Sequence, residues 1–235
     1  MHNSGSPKET RTAAVDDYLK AIWQLGGERE TVVGMSGLAR ALRVSAASTT
    51  EMVQRLAEQR LVRYTPRRGV DLTPAGRRIA LRVVRTHRVV EVFLARVLGL
   101  AWEKVHDEAD RWEHVVSDEV VDRMEAAAGR PTTDVHGHPI PDAEGRMPPS
   151  EDMPLDELEV GQPGVVTQVS DHSPELLRYL GRIGLRPGVQ LSLRASEPFG
   201  GAIDLEVGRR RRRLGTEAAA HVRVTPRGAR RGGGR

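Results

Sequence analysis

His106-Asp107-Glu108-Ala109-Asp110-Arg111-Trp112-Glu113-His114 sets the reading of the whole chain. Taken as helix, the stretch turns about 100° per residue. With His106 at zero, Asp110 falls at roughly +40°, Glu113 at roughly −20° and His114 at roughly +80°. Two imidazoles and two carboxylates then share one arc of about 100° on successive turns. Upstream, His87 and Glu91 are four apart and share a helical face of their own. Mixed N and O donors at i, i+3 and i+4 are what a first-row divalent metal takes from helices. The plain alternative is a solvated acidic helix, since residues 101–128 carry nine acids against three bases. The second His/Glu pair, and the pattern upstream of it, favour metal.

Working outward, the spacing predicts one ligand-bearing helix from Trp102 to about Ala128, with Trp112, Val116, Val120 and Met124 apolar. Before it, Thr73 caps a long helix that has Pro74 at its first position and stops at Gly99. Two long helices with this much apolar surface predict a dimer interface. Further upstream, helical spacing begins near Thr12, with Ala14, Tyr18, Ala21, Ile22 and Leu25 as the apolar face, and ends at Gly26-Gly27. Ser36 then caps a short helix, and Ser45 caps a second that runs to about Gln59. Two short helices joined by a tight turn form a helix-turn-helix. The second opens with small residues, Ser45, Ala47, Ser48 and Thr50, which let a helix start approach phosphates and base edges. Leu61–Thr65 and Val70–Thr73 make a hairpin with Arg67 and Arg68 at its tip, a basic wing. Together these features predict binding to duplex DNA, with protein contact by the same fold as the alternative.

Downstream, residues 129–155 are rich in Pro, Gly and Asp and read as linker; His136 and His138 fall there and could bind metal, but the segment reads as irregular loop, which favours the plain reading. Strand patterns follow at Gly164–Ser170, Val189–Ala195, Ala202–Val207 and His221–Val224, with a helix at Pro174–Ile183, as in an SH3-like barrel. The run Arg209–Arg213 reads as a solvated hairpin tip, with direct DNA contact as the alternative.

The chain of 235 residues carries a net charge of +4, unevenly spread. Residues 11–76 hold ten bases against seven acids, whereas residues 77–150 hold eleven against thirteen. A basic first part beside an acidic middle suits an anionic partner for one and cations for the other. There is no cysteine, which excludes disulfides and thiolate metal sites. No apolar run approaches the roughly 20 residues of a membrane span, and residues 1–11 lack the core of a signal peptide. The expectation is a soluble cytoplasmic protein without membrane partners.

The motifs KVHDEADRWEHVVSDEV at 104–120, DDYLKAIW at 16–23 and RTHRVVE at 85–91 resemble the diphtheria-toxin-repressor family of iron- and manganese-dependent transcriptional regulators. Asp17, Asp110 and LLRYLGRIGL at 176–185 look more like its manganese-responsive members, the manganese-transport-regulator type with an extra C-terminal SH3-like domain. The resemblance implies a metal-loaded homodimer on palindromic double-stranded operators. It implies one site of His87, Glu91 and His106, and another of Asp17, Asp110, Glu113 and His114. Iron-responsive members have Met and Cys where this chain has Asp17 and Asp110. Lys20 stands where some manganese regulators place a further acid. The SH3-like domain sometimes adds ligands, for which Asp171, His172 and Glu175 are candidates.

The expected fold is therefore mainly α with small β parts. Its domains are an N-terminal winged helix-turn-helix (12–75), a helical metal-binding and dimerisation domain (76–140), a linker (141–157) and a C-terminal SH3-like (FeoA-like) β-barrel (158–225). Residues 1–11 and 226–235 are expected to be disordered. The expected function is a metal-dependent repressor of metal homeostasis genes that contacts DNA through Ser36, Ser45, Ala47, Ser48, Thr50, Arg67 and Arg68. Its metal is expected to be Mn²⁺, with Fe²⁺ as the alternative and Co²⁺ or Cd²⁺ as substitutes in vitro. A metal-independent repressor and a helical metalloenzyme are the rival classes. For a di-iron enzyme, Glu103 and His106 have the Glu-x-x-His spacing, but no second pair exists.

Overall fold

The computed structural model describes residues 12–27 and 31–227. The expectations for residues 1–11 and for the last eight residues lie outside that range. Among the described residues the chain divides into two compact units. The first holds residues 12–86, 113–115 and 141–146; the second holds residues 87–112, 116–140 and 147–227. Among the described residues no helix is long and apolar enough to cross a membrane.

In the first unit, α1 (Ala13–Gly26) starts where Thr12 accepts the Val15 N–H and stops at Gly27. Its buried face is Val15, Tyr18, Leu19 and Ile22, whereas Ala14 and Leu25 are exposed. Tyr18, Ala21 and Ile22 of the expected face are buried, but the stripe also takes in Val15 and Leu19, and it carries Asp16 and Lys20 into the interior with it. The helix-turn-helix is α2 (Met35–Leu42) and α3 (Ala46–Glu58). Gly34, not Ser36, is the N-cap of α2, so Ser36 sits exposed in the first turn without a capping role. Arg43 takes a left-handed φ of 55° at the turn, and Ser45 caps α3 by accepting the Ser48 N–H. Leu19, Leu38, Val53 and Leu56, all fully buried, join α1 to both helices.

The wing is the antiparallel pair β1 (Val62–Thr65) and β2 (Gly69–Leu72), with Thr65 opposite Gly69. Val33 and Val70 exchange two backbone hydrogen bonds that seat the wing on the unit. Gly69 is required here: its φ is 126°, and a Cβ would stand 2.3 Å from the Val33 carbonyl oxygen. Arg67 and Arg68 are exposed at the tip.

Helix α4 (Pro74–Arg96) starts where the Thr73 hydroxyl accepts the Gly76 N–H. In the second unit, the helix expected over 102–128 is broken. It forms α5 (Val105–Trp112) and α6 (Asp118–Ala127), with a turn between them. Ser117 is extended, at ψ 155°, and its side chain accepts the Val120 N–H, so it restarts the helix. Asp118 and Glu119 in the new first turn complement the α6 dipole. The β-branched pair Val115-Val116 before it weakens any continuation of α5. Val89, Val92, Val105, Ala109, Val121 and Ile140 pack into one cluster of this unit.

The same unit holds a six-stranded antiparallel sheet. Its strands are β3 (Met153–Pro154), β4 (Pro163–Val169), β5 (Gln190–Ser196), β6 (Ala202–Val207), β7 (Arg210–Gly215) and β8 (Val222–Pro226), in the order β3-β8-β4-β5-β6-β7. Helix α7 (Pro174–Ile183) and the short α8 (Thr216–Ala219) complete it. Two differences from the sequence reading stand out. Residues 153–157, expected as linker, already form β3 and a 3₁₀ turn whose Leu155 is fully buried. The arginine run is not a hairpin tip. Gly208 and Arg209 make the turn, and Arg210–Arg213 pair with β6 as an edge strand. Charged residues suit that position because they discourage further strand addition. The last strand also takes in Pro226, and the Arg227 N–H donates to the Pro163 carbonyl (2.9 Å), so order continues past residue 225.

The loop after α6 is not irregular either. One Asp134 carboxylate oxygen accepts the N–H groups of His136 (2.8 Å) and His138 (2.9 Å), and Gly137 between them has φ 93°. The His136 carbonyl accepts the Val169 N–H from β4. A Cβ on Gly137 would stand 1.8 Å from the Thr167 carbonyl oxygen. Gly137→Ala should therefore lower stability by about 2 kcal/mol or more. Chemical denaturation of the metal-free protein measures this; an unchanged midpoint would mean the loop does not hold this conformation.

Candidate metal centres

Among the described residues, carboxylates and imidazoles gather around Asp17 in the first unit and around Glu91 in the second. In the first unit, α1 supplies Asp17, and the turn that ends α5 supplies Glu113 and His114. His114 Nε2 lies 3.0 Å from Asp17 Oδ1 and 3.4 Å from Glu113 Oε1. These three donors are mutually close enough to share an ion. Asp16 is buried behind them, 3.8 Å from His114 Nδ1. Burial pushes the Asp17 carboxyl above its ordinary range; His114 and Lys20 pull it down, and Glu113 pushes it up. On the other side, Lys20 Nζ donates to both Glu113 oxygens, at 2.7 and 3.0 Å.

In the second unit the centre is Glu91, which is fully buried. Its Oε1 lies 3.2 Å from His87 Nε2, 3.3 Å from His106 Nδ1 and 3.6 Å from His136 Nδ1. The His87 and His106 nitrogens are themselves 3.1 Å apart. His106 also lies 3.5 Å from Asp171 Oδ2, and His138 bridges Asp171 and Asp134. Burial alone would raise the Glu91 carboxyl, yet the imidazoles of His87, His106 and His136 outweigh it and hold the group well below the usual range. Burial works against the His136 imidazolium too, but Glu91, Asp134 and Asp171 overcome it and push its pKa up to about 9. Asp171 is lowered in the same way: burial opposes ionisation, and His138 and His106 favour it.

The donor set fits a divalent cation. Ligands about 2.0–2.2 Å from one ion stand about 3 Å from each other, which is the spacing found around Glu91. Glu91 Oε2 and His136 Nδ1 are buried with no hydrogen-bond partner, and such groups call for a partner of another kind. His136 Nε2 lies 2.8 Å from the Trp102 carbonyl, and donation to it leaves Nδ1 as the acceptor a metal needs once the imidazolium has given up its second proton. In the other cluster His114 Nδ1 is likewise buried and without a hydrogen bond.

The expected ligands thus separate differently from the helical-wheel reading. His87, Glu91 and His106 come together, as do Asp17, Glu113 and His114. Asp110 keeps its place on the His106 face, with its oxygens 3.3 Å from His87 Nδ1 and 3.7 Å from His106 Nε2. The turn after Trp112 brings His114, with Glu113, to Asp17. Of the candidates from the SH3-like domain, Asp171 joins the Glu91 cluster. His172 stands largely exposed beside Asp171, and Glu175 pairs with Arg178 at the surface. His136 and His138, for which the sequence favours irregular loop with metal as the alternative, join that cluster, and so does Asp134, which the sequence reading does not single out. The Asp-x-His-Gly-His spacing was the available signal, since an Asp two residues before a His invites the turn that folds it inward. For DNA contact, Ser45, Ala47 and Ser48 are exposed at the start of α3, whereas the Thr50 hydroxyl is spent on the Ala46 carbonyl.

Family models match three successive stretches of the chain. Residues 11–70 match the iron dependent repressor N-terminal DNA binding domain, residues 73–142 its metal binding and dimerisation domain, and residues 153–226 the FeoA domain. The chain is 34% identical over 219 residues to the iron-dependent repressor IdeR of Mycobacterium tuberculosis, covering 88% of this chain and 94% of that protein. A solved manganese-dependent transcriptional repressor in complex with manganese has a TM-score of 0.85 at 38% identity, covering 90% of this chain and 99% of that one. The manganese regulator SloR has a TM-score of 0.75 at 29% identity, covering 91% and 98%.

The raised His136 pKa sets a pH dependence of the metal-free protein. A histidine at about 9 when folded and about 6.5 when unfolded adds stability that is complete below the unfolded value. That stability is lost as pH rises through the folded value. Thermal unfolding in chelator should therefore show a midpoint that falls between about pH 6.5 and 9, and His136→Gln should flatten the fall. Parallel slopes for the two proteins would remove His136 from the cluster's electrostatics.

Proposed function

Because the chain belongs to the diphtheria-toxin-repressor family of metal-dependent DNA-binding transcriptional repressors, we propose that it is a manganese-responsive repressor acting as a homodimer on palindromic operators. Members of this family are repressors and not enzymes, and this chain is one of them. The observation that carries the choice of manganese is the donor set of the Asp17 cluster. It holds two carboxylates and one imidazole, in a chain with no cysteine. Mn²⁺ lies at the weak end of the usual affinity series, so a sensor selects it through oxygen-rich ligation. Fe²⁺ is the second reading, supported by the identity to an iron-dependent repressor and by the imidazole-rich Glu91 cluster.

In this reading Asp17, Glu113 and His114 hold the regulatory ion, and His87, Glu91, His106 and Asp110 hold a second one, with His136 and Asp171 beside it. A bound divalent cation supplies the positive charge that makes crowding of these carboxylates favourable. Asp17 then fixes α1 against the turn at Glu113 and His114. Leu19 and Ile22 on the buried face of α1 pack with Leu38, Val53 and Leu56, so fixing α1 also fixes α3. The metal-free state lacks this constraint. Ligand binding shifts the equilibrium because only one arrangement brings the donors together. Ser45, Ala47 and Ser48 then meet base edges, and Ser36, Arg67 and Arg68 meet phosphate.

Two outcomes follow. Arg67→Ala should weaken operator binding on all sequences and reduce the salt slope by about one; fluorescence anisotropy across a salt series measures both, and an unchanged slope would take the wing off the DNA. Asp17→Met, assayed anaerobically by mobility shift with each metal in turn, should lose its preference for Mn²⁺ over Fe²⁺. A starting protein that answers Fe²⁺ and ignores Mn²⁺ would overturn the manganese reading.

A further inference from the structure

Lys20 is buried beside the Asp17 cluster, and its ammonium cannot be a metal ligand. Its Nζ contacts both oxygens of Glu113, at 2.7 and 3.0 Å, and the two side chains are 9% and 1% exposed. A buried ammonium is costly unless paired. The partner chosen here is a carboxylate assigned above to the regulatory ion. Other charged or titratable groups at the site include Asp16, Asp17 and His114.

We propose that Lys20 is a tethered counter-ion: it holds Glu113 in the metal-free protein and, through its own charge, sets how much metal the Asp17 site requires. The proposal rests on the metal reading of that site. Without metal, Glu113 and Asp17 are two acids in a poorly solvated place, and Lys20 offsets the repulsion between them. When a divalent cation takes Glu113, two positive charges stand close together. Their repulsion is far stronger in such a place than in water. The same contact therefore stabilises the empty site and weakens the loaded one. A salt bridge that only braces α1 behaves otherwise, because its loss lowers stability in both states and does not tighten metal binding.

The test uses the full chain stripped with chelator, titrated with Mn²⁺ by calorimetry and by the electron paramagnetic resonance signal of free Mn²⁺. Lys20→Met removes the charge at similar length, and Lys20→Arg keeps it. Lys20→Met should bind Mn²⁺ about tenfold more tightly or better. Its metal-free melting temperature should fall while its Mn²⁺-loaded one stays within roughly 3 °C of the original. Lys20→Arg should stay near the original in both measurements. Equal or weaker Mn²⁺ binding by Lys20→Met, or tightening by Lys20→Arg as large as that by Lys20→Met, would overturn the proposal. If Lys20→Met does not fold, Lys20→Gln, which keeps a donor without charge, is read by the same criteria. Asp17→Ala separates the two failures. If it binds as many Mn²⁺ ions as the original at equal affinity, the metal reading of the site falls, and the proposal falls with it.

Discussion

Glu91 is a carboxylate without access to water, and the second unit is arranged around the cost of that burial. An isolated buried charge either gives up its proton state or draws compensating charge to itself. Here three imidazoles lie within 3.6 Å of one oxygen, from three separate parts of the chain. His87 comes from the same helix one turn earlier, His106 from α5 and His136 from a loop pinned by Asp134 and Gly137. The outer ring repeats the pattern, with Asp171 and Asp134 compensating the histidines that compensate Glu91. Two atoms at its centre, Glu91 Oε2 and His136 Nδ1, are left without hydrogen-bond partners, which is what supports the proposed cation there.

The Asp17 cluster solves a similar problem with fewer groups. It has two carboxylates and one imidazole, and a lysine closes the set from behind. The contrast matters for regulation. A cluster dense in imidazoles can share protons among its members when empty, whereas an acid-rich one needs a cation of some kind. Lys20 supplies that charge from within the fold, and its presence makes the empty state a defined structure. A two-state switch needs both of its states to be stable enough to exchange, and their difference in free energy small enough for a ligand to reverse.

The break between α5 and α6 connects the two problems. One uninterrupted helix would hold all four ligands of residues 106–114 on one arc, facing one site. Ending α5 at Trp112 leaves His106 and Asp110 beside Glu91 and sends Glu113 and His114 to α1. The cap that restarts the helix, Ser117 before Asp118 and Glu119, is thus what a single helical wheel over these residues leaves out.

The sequence by itself determined the helix-turn-helix, the wing with its two arginines and most strands of the C-terminal sheet, and it singled out the seven residues proposed as ligands. Those features rest on local chemistry: caps at Thr12, Ser45 and Thr73, a glycine at the wing, and the spacing of apolar residues. It also held the Ser117 signal, but periodicity across residues 102–128 overrode it, because a helical wheel assumes the helix continues. Only the tertiary structure decided which ligands meet. The imidazole partners of Glu91 are separated from it by up to 45 positions, and no local rule brings a histidine from a Pro- and Gly-rich loop into a core. The burial of Lys20 was equally illegible, since a lysine on a helix is ordinarily solvated and its sequence neighbours do not include Glu113. Long-range electrostatics made those choices, because the cost of a buried charge is met by whichever residue the fold brings beside it.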